Sequence, residues 1–391
     1  MNKKVIALAV AAALSAPAAA LAQVTIGGSI HVQWFQHDPD NTQEKKTDIL
    51  ETTEPNIVFS AEEKLGGGLS AFMTCESTFD VLGSAIEGLC GRNSGVGFKS
   101  AGMGSLFLGN WDTPLKMAVS PHRGWFGLNN VFARATILWN GAPSNVGNGI
   151  AGGNTTAEAS GFSRRQKETL NWHGPSWGGF SLAAQMSGAN DGTALADSSP
   201  LDPRLISLGA RFATGPLLIT LGYEQHTDFN PTSNAGYTGG TDDSFVIGVG
   251  YTFAGRVKVN AVYTKNTYEV GTAAGGNLDA DGMAFWVDWT IAGPHSLKAQ
   301  YVIQNDPKGT AGTTIGAYSV GTGAVGSPTG DRGAEVMTLV YAYNFSKRTQ
   351  LYAAYNQVKN DTNTNAFTLG QTGTTVGGKQ TAIGMGMRYS F

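Results

Sequence analysis

Past residue 22 the chain has no run approaching the 18 consecutive apolar residues that a membrane-spanning helix needs, which excludes a helical membrane protein. Charge is scarce: Asp, Glu, Lys and Arg make up 14% of 391 residues, with a formal net charge of −3. That balance offers no basic face for a nucleic-acid partner. Histidines are few and scattered, at His31, His37, His122, His173, His226 and His295, without a metal-ligand spacing such as H-E-x-x-H. No metal and no cofactor is indicated. Glycine, by contrast, is abundant at 54 residues, and aromatics reach 10% with a mean hydropathy of −0.12. Such a composition suits many strands and turns whose two faces meet different solvents.

The first residues read MNKKVIALAVAAALSAPAAALAQ. Lys3 and Lys4 form a basic start, residues 5–14 an apolar core, and Ala20-Leu21-Ala22 a cleavage site. Residues 1–22 are therefore expected to be a cleaved signal peptide, leaving 23–391 as a single unit. A mature chain that enters a membrane without apolar helices must do so as a closed barrel. Only two cysteines occur, Cys75 and Cys90, either side of a presumed loop. In an exported protein they are expected to form a disulfide stapling that hairpin, two buried free thiols being the alternative.

After Gln23 one pattern recurs, about ten residues of alternation followed by a turn signal. In DSFVIGVGYTF, Phe245, Ile247, Val249, Tyr251 and Phe253 share one face, while Gly248, Gly250 and Thr252 share the other. MAFWVDWTI and LISLGARF repeat it. Short connections at 66–68, 100–104, 174–179, 214–216, 254–255, 292–295 and 346–348 alternate with long ones at 36–53, 80–91, 113–162, 190–200, 228–242, 270–280, 306–332 and 361–378. The fold class follows: all-β, a 16-stranded antiparallel transmembrane β-barrel with short periplasmic turns and long external loops. A soluble sandwich is the rival. It is disfavoured because the small and polar parity is too slight to fill so large a barrel, and suits a water-filled lumen instead.

Three blocks resemble the trimeric Gram-negative general porins of the betaproteobacterial type: EEKLGGGLSAFMTCESTFD (62–80), GRNSGVGFKSAGMGSLFLGNWDTP (91–114) and RQKETLNWHGPSWGGFSLAAQM (165–186). The closing MRYSF adds to the likeness. The resemblance implies a homotrimer in the cell outer membrane, among lipids and lipopolysaccharide, passing small solutes and ions by passive diffusion. It also implies that the barrel assembly machinery engages Phe391, and that the long third loop, 113–162, folds into the lumen as the constriction. The family commonly lines its constriction with arginines. Arg92 and Arg165 are retained, whereas Asn110 and Asn171 stand where others would be, so only part of that ladder is kept.

The constriction set read from sequence is Arg92, Asp112, Lys116, Arg123, Arg134, Glu158, Arg165 and Lys167. It is net positive in a net-negative protein, and confined charge biases permeating ions, so a weakly anion-favouring eyelet is expected. The aromatic stretch RGWFGLNNVFARATILW (123–139) either binds a solute or anchors the loop through Trp125, Phe126, Phe132 and Trp139. Two rival functions have requirements of their own. A solute-specific channel would carry a ligand site at the constriction. A barrel enzyme would need a catalytic cluster. GPSWG (174–178) fits G-x-S-x-G, but no helix follows Ser176 as a nucleophile elbow requires, so no catalytic residue is assigned.

Overall fold

The computed structural model describes residues 24–40, 45–83, 88–124, 131–139, 161–187, 203–229, 239–270, 276–369 and 374–391. Among these, sixteen strands close into one antiparallel barrel. They are β1 (Thr25–Asp38), β2 (two segments, Thr47–Thr52 and Asn56–Gly66), β3 (Leu69–Ser77), β4 (Ser94–Ser100), β5 (Gly104–Asp112), β6 (Arg165–His173), β7 (Phe180–Ser187) and β8 (Arg204–Thr214). Then follow β9 (Leu217–Thr227), β10 (Thr241–Phe253), β11 (Val257–Val270), β12 (Gly276–Ala292), β13 (His295–Gln304), β14 (Ala334–Asn344), β15 (Thr349–Asn360) and β16 (Lys379–Ser390). Each strand pairs with its sequence neighbours, and β16 returns to β1 from Ser29↔Ser390 to Asp38↔Thr381. Closure removes the sheet edges, the requirement for a strand in lipid.

Period-two alternation sets the two faces. Leu108, Met186, Ile247, Leu351, Ile383 and Met385 are exposed on the outside. Tyr251, Phe253, Trp289, Tyr341, Phe345 and Tyr389 form an exposed aromatic band near the short turns, where a membrane interface belongs. The tight turn after β2 runs through Gly67 and Gly68, whose φ values of 59° and 81° are costly for other residues.

Two expected loops are shorter than their sequences suggest. β1 and β2 stay paired up to His37↔Thr47, and β11 and β12 up to Val270↔Gly276. Alternation persists there in mixed polar and apolar residues, so the ladders continue above the apolar band. The inner face also differs from a uniformly polar lumen. Val246, Val262, Val302, Val336 and Val340 are buried on it, because a loop inside the barrel covers them.

Cys75 and Cys90 form a disulfide at the outer end of β3. It holds the connection before β4, where Cys90 N–H also donates to Ser77 Oγ at 2.8 Å. Closing such a 15-residue loop stabilises by about 3 kcal/mol.

Candidate functional site

At the end of β5 the chain turns into the lumen as a helix, α1 (Pro114–Arg123). Thr113 caps it, its hydroxyl accepting from Lys116 N–H at 3.4 Å, and Pro114 follows where no N–H partner is needed. The helix lies against β8 to β11, and glycines on the inner parity of β8 to β10 leave room for it. A Cβ on Gly209 would stand 3.1 Å from Pro114 Cβ, and one on Gly222 2.9 Å from Leu115 Cα. On Gly248 it would stand 2.4 Å from His122 Nε2. Hydrogen bonds then fix the helix. Leu115 N–H donates to Ser207 Oγ at 3.1 Å, Thr220 Oγ1 donates to Ala118 O at 2.7 Å, and Lys258 Nζ donates to Pro121 O at 2.7 Å.

His122 is fully buried beneath the helix, with Nε2 2.7 Å from Thr220 Oγ1 and Nδ1 3.3 Å from Asn260 Oδ1. Because the Thr220 hydroxyl hydrogen goes to Ala118, the imidazole donates from Nε2. Burial pulls His122 down to about 4, and the cations Lys258 and Arg211 add to the fall while Asn260 opposes it. The ring is therefore neutral at neutral pH. A histidine depressed in the docked helix and ordinary in an undocked one favours docking fully above about 6.5; that advantage is lost as pH falls toward 4, by on the order of 3 kcal/mol. Single-channel recordings between pH 7 and pH 4 are expected to show the docked, quiet state giving way to noisy current. His122→Gln, which takes up no proton, should flatten the dependence; an identical response would count against this role.

A second stretch, 131–139, seals the other side of the loop to the wall. Trp139 Nε1 donates to Thr264 Oγ1 at 3.0 Å, Asn266 Nδ2 to Leu138 O at 2.7 Å, and Tyr318 OH to Ile137 O at 2.6 Å. Phe132 packs edge-on against Phe35, with ring centroids 6.0 Å apart. Phe132 and Trp139 are thus buried anchors, not an open binding strip. Trp125 and Phe126 lie outside the described residues.

The charged residues expected at the constriction do not form one cluster. Asp112, Lys116 and Arg165 meet at the root of the loop. Asp112 Oδ1 accepts from Lys116 Nζ at 2.8 Å and lies 3.1 Å from Arg165 Nε, while Asn93 Nδ2 donates to Oδ2 at 3.1 Å. Arg165 is only 3% exposed, so this is a strut holding the turn more than an open rim. Arg92 and Arg123 come near it. Arg92 pairs with Glu76 at 2.8 Å, and Arg123, partly exposed, bonds Ser120 Oγ at 3.3 Å and lies in the fields of Glu54 and Asp112. Arg134 is enclosed by protein and forms no open rim. It is buried, donates to Leu369 O, and burial lowers it to about 10 with Glu51 opposing. Lys167 is exposed and makes no ion pair among the described residues. Glu158 lies outside them.

The constriction set read from sequence leaves out other charges on the inner parity: Arg211 on β8, Lys258 on β11, Asp288 on β12, Lys298 on β13 and Arg388 on β16. Lys298 pairs with Asp288. Each sits opposite in parity to an apolar outer row, as Lys258 does between Val257 and Val259, so strict alternation carried the signal. Ser176 occupies the turn after β6, and His173 packs instead on Phe107 and Trp111, at 5.0 and 6.0 Å between ring centroids.

A closed barrel in an apolar belt, with a charged loop pinned against its inner wall, has the architecture of a channel. The chain belongs to the Gram-negative porin family, whose model matches residues 7–363, and its place is the outer membrane. It is 28% identical over 353 residues to an outer membrane porin protein of Bordetella pertussis, covering 84% of this chain and 80% of that one. It is 26% identical to outer membrane porin protein 32 of Delftia acidovorans over the whole of both chains. Among solved structures it is similar to the anion-selective porin from Comamonas acidovorans, at a TM-score of 0.70 and 20% identity over 95% of this chain and 100% of that one. It is also similar to OmpT of Vibrio cholerae, at a TM-score of 0.61 and 16% identity over 94% and 97%. These structural likenesses carry the fold.

Proposed function

We propose that residues 1–22 are removed on export and that the mature chain assembles as a homotrimer of diffusion pores. Each pore is narrowed by the loop 113–162 and weakly favours anions, and Phe391 is the handle for the barrel assembly machinery. The observation that carries the ionic preference is a set of cations: Arg123 on the helix, with Arg211, Lys258 and Arg388 on the inner wall. None of the four makes an ion pair among the described residues. Apolar walls focus the field of such charges on the permeating ion. The preference is weak because Lys116 and Arg165 are spent on Asp112, Arg92 on Glu76, and Lys298 on Asp288. The selectivity stated for the Comamonas protein has the same sign.

Liposome swelling separates this from a solute-specific channel. Sugars and amino acids of graded size are expected to enter at rates that fall smoothly with size, with short carboxylates faster than amines of equal size. One sugar or amino acid entering saturably and far ahead of its size would replace the general pore with a specific one.

A further inference from the structure

On the short-turn side of α1 lies a cavity of about 140 Å³. Pro114, Met117 and Ala118 of the helix roof it, and His173, Ala183 and Arg211 of β6 to β8 wall it. His173 is backed by Phe107 and Trp111, both edge-on to it, which extends the apolar surface behind the wall. Arg211 is exposed and makes no ion pair among the described residues. Its register partner on β7 is Ser181, which also lines the cavity.

The chemistry of this lining is two-sided. One side is thioether, proline ring and methyl groups, which suits a flat apolar body and offers a sugar few partners. An apolar cavity of about 150 Å³ is enough for one benzene ring. On the other side a guanidinium presents paired donors, the geometry that a carboxylate accepts in two hydrogen bonds. We propose that this cavity is a subsite for small aromatic monocarboxylates of the benzoate class, with the ring beneath α1 and the carboxylate on Arg211. The proposal rests on the channel reading and adds a solute class that dwells in the pore on its way through.

The test is block of chloride current through the full-length porin in planar bilayers, with benzoate added on the short-turn side. Benzoate is expected to reduce the current saturably, while acetate and benzyl alcohol at equal concentration do not. Arg211→Gln is expected to raise the half-blocking concentration by about tenfold or more, as loss of a charge-assisted hydrogen bond implies. Ala183→Leu, which fills the cavity and keeps the guanidinium, is expected to do the same. Benzoate acting no more strongly than acetate on the wild type, or equally on wild type and both variants, would overturn the subsite while leaving the pore intact. No chloride current from the wild type at all would overturn the channel and the subsite together.

Discussion

Gly28→Val is expected to reduce the assembled barrel recovered from outer membranes by about tenfold or more, since overpacking costs 1–3 kcal/mol and 1.4 kcal/mol is a factor of ten. Gly28 lies at the seam where β1 meets β2 and β16. Its N–H donates to Phe391 O at 3.3 Å, and Phe391 N–H donates to Gly28 O at 3.0 Å. A Cβ there would stand 2.2 Å from Asn56 O and 2.9 Å from Phe391 Cζ. The first of these is backbone held in a ladder through Ser29↔Asn56, so it cannot swing aside as a side chain would. Relief requires opening the seam, and an open seam leaves peptide groups unpaired against lipid. Gly27→Ala is the control, because its Cβ meets nothing nearer than 3.6 Å. Electrophoresis of unheated membranes reads both; equal yields of folded barrel would show that the seam tolerates what the geometry forbids.

The second large effect belongs to the helix. Gly248→Val places carbon 2.4 Å from His122 Nε2 and 2.6 Å from Thr220 Oγ1, two of the groups that tie α1 to the wall. A clash of 1–3 kcal/mol shifts the docked-to-undocked ratio by roughly tenfold or more. Single-channel conductance is expected to rise and grow noisy, and ionic selectivity to fall toward none. Removing the imidazole in His122→Ala/Gly248→Val vacates the contested space, so the double variant should recover part of the loss. Unchanged conductance in Gly248→Val would mean that the helix is held by other means.

The wall of this porin was legible in its sequence because period-two alternation is local. Phe245, Ile247 and Val249 face outward in β10, and Ile383, Met385 and Met387 do so in β16, as their parity indicates. The site was legible only in part, because parity names a face without naming its partner. Gly248 and Gly250 read as small inner residues, yet their role comes from His122, far away in the chain. Arg134 reads as a pore charge, but its acceptor is Leu369 O, 235 residues distant, and no local pattern reports that. The two asparagines at family arginine positions have a similar explanation. Asn110 Nδ2 donates to Gly91 O and Arg92 O at 2.9 and 3.2 Å, and Asn171 accepts from Gln185 Nε2 at 2.7 Å. Both hold neighbouring segments of the wall together and add no charge to the lumen.

The measurement that bears most directly on this account is the zero-current potential across a planar bilayer holding the purified porin under a KCl gradient at neutral pH. A small potential of the sign set by chloride is expected, moving toward zero in Arg123→Gln and further in Arg123→Gln/Arg388→Gln. A potential of the sign set by potassium in the wild type would contradict it.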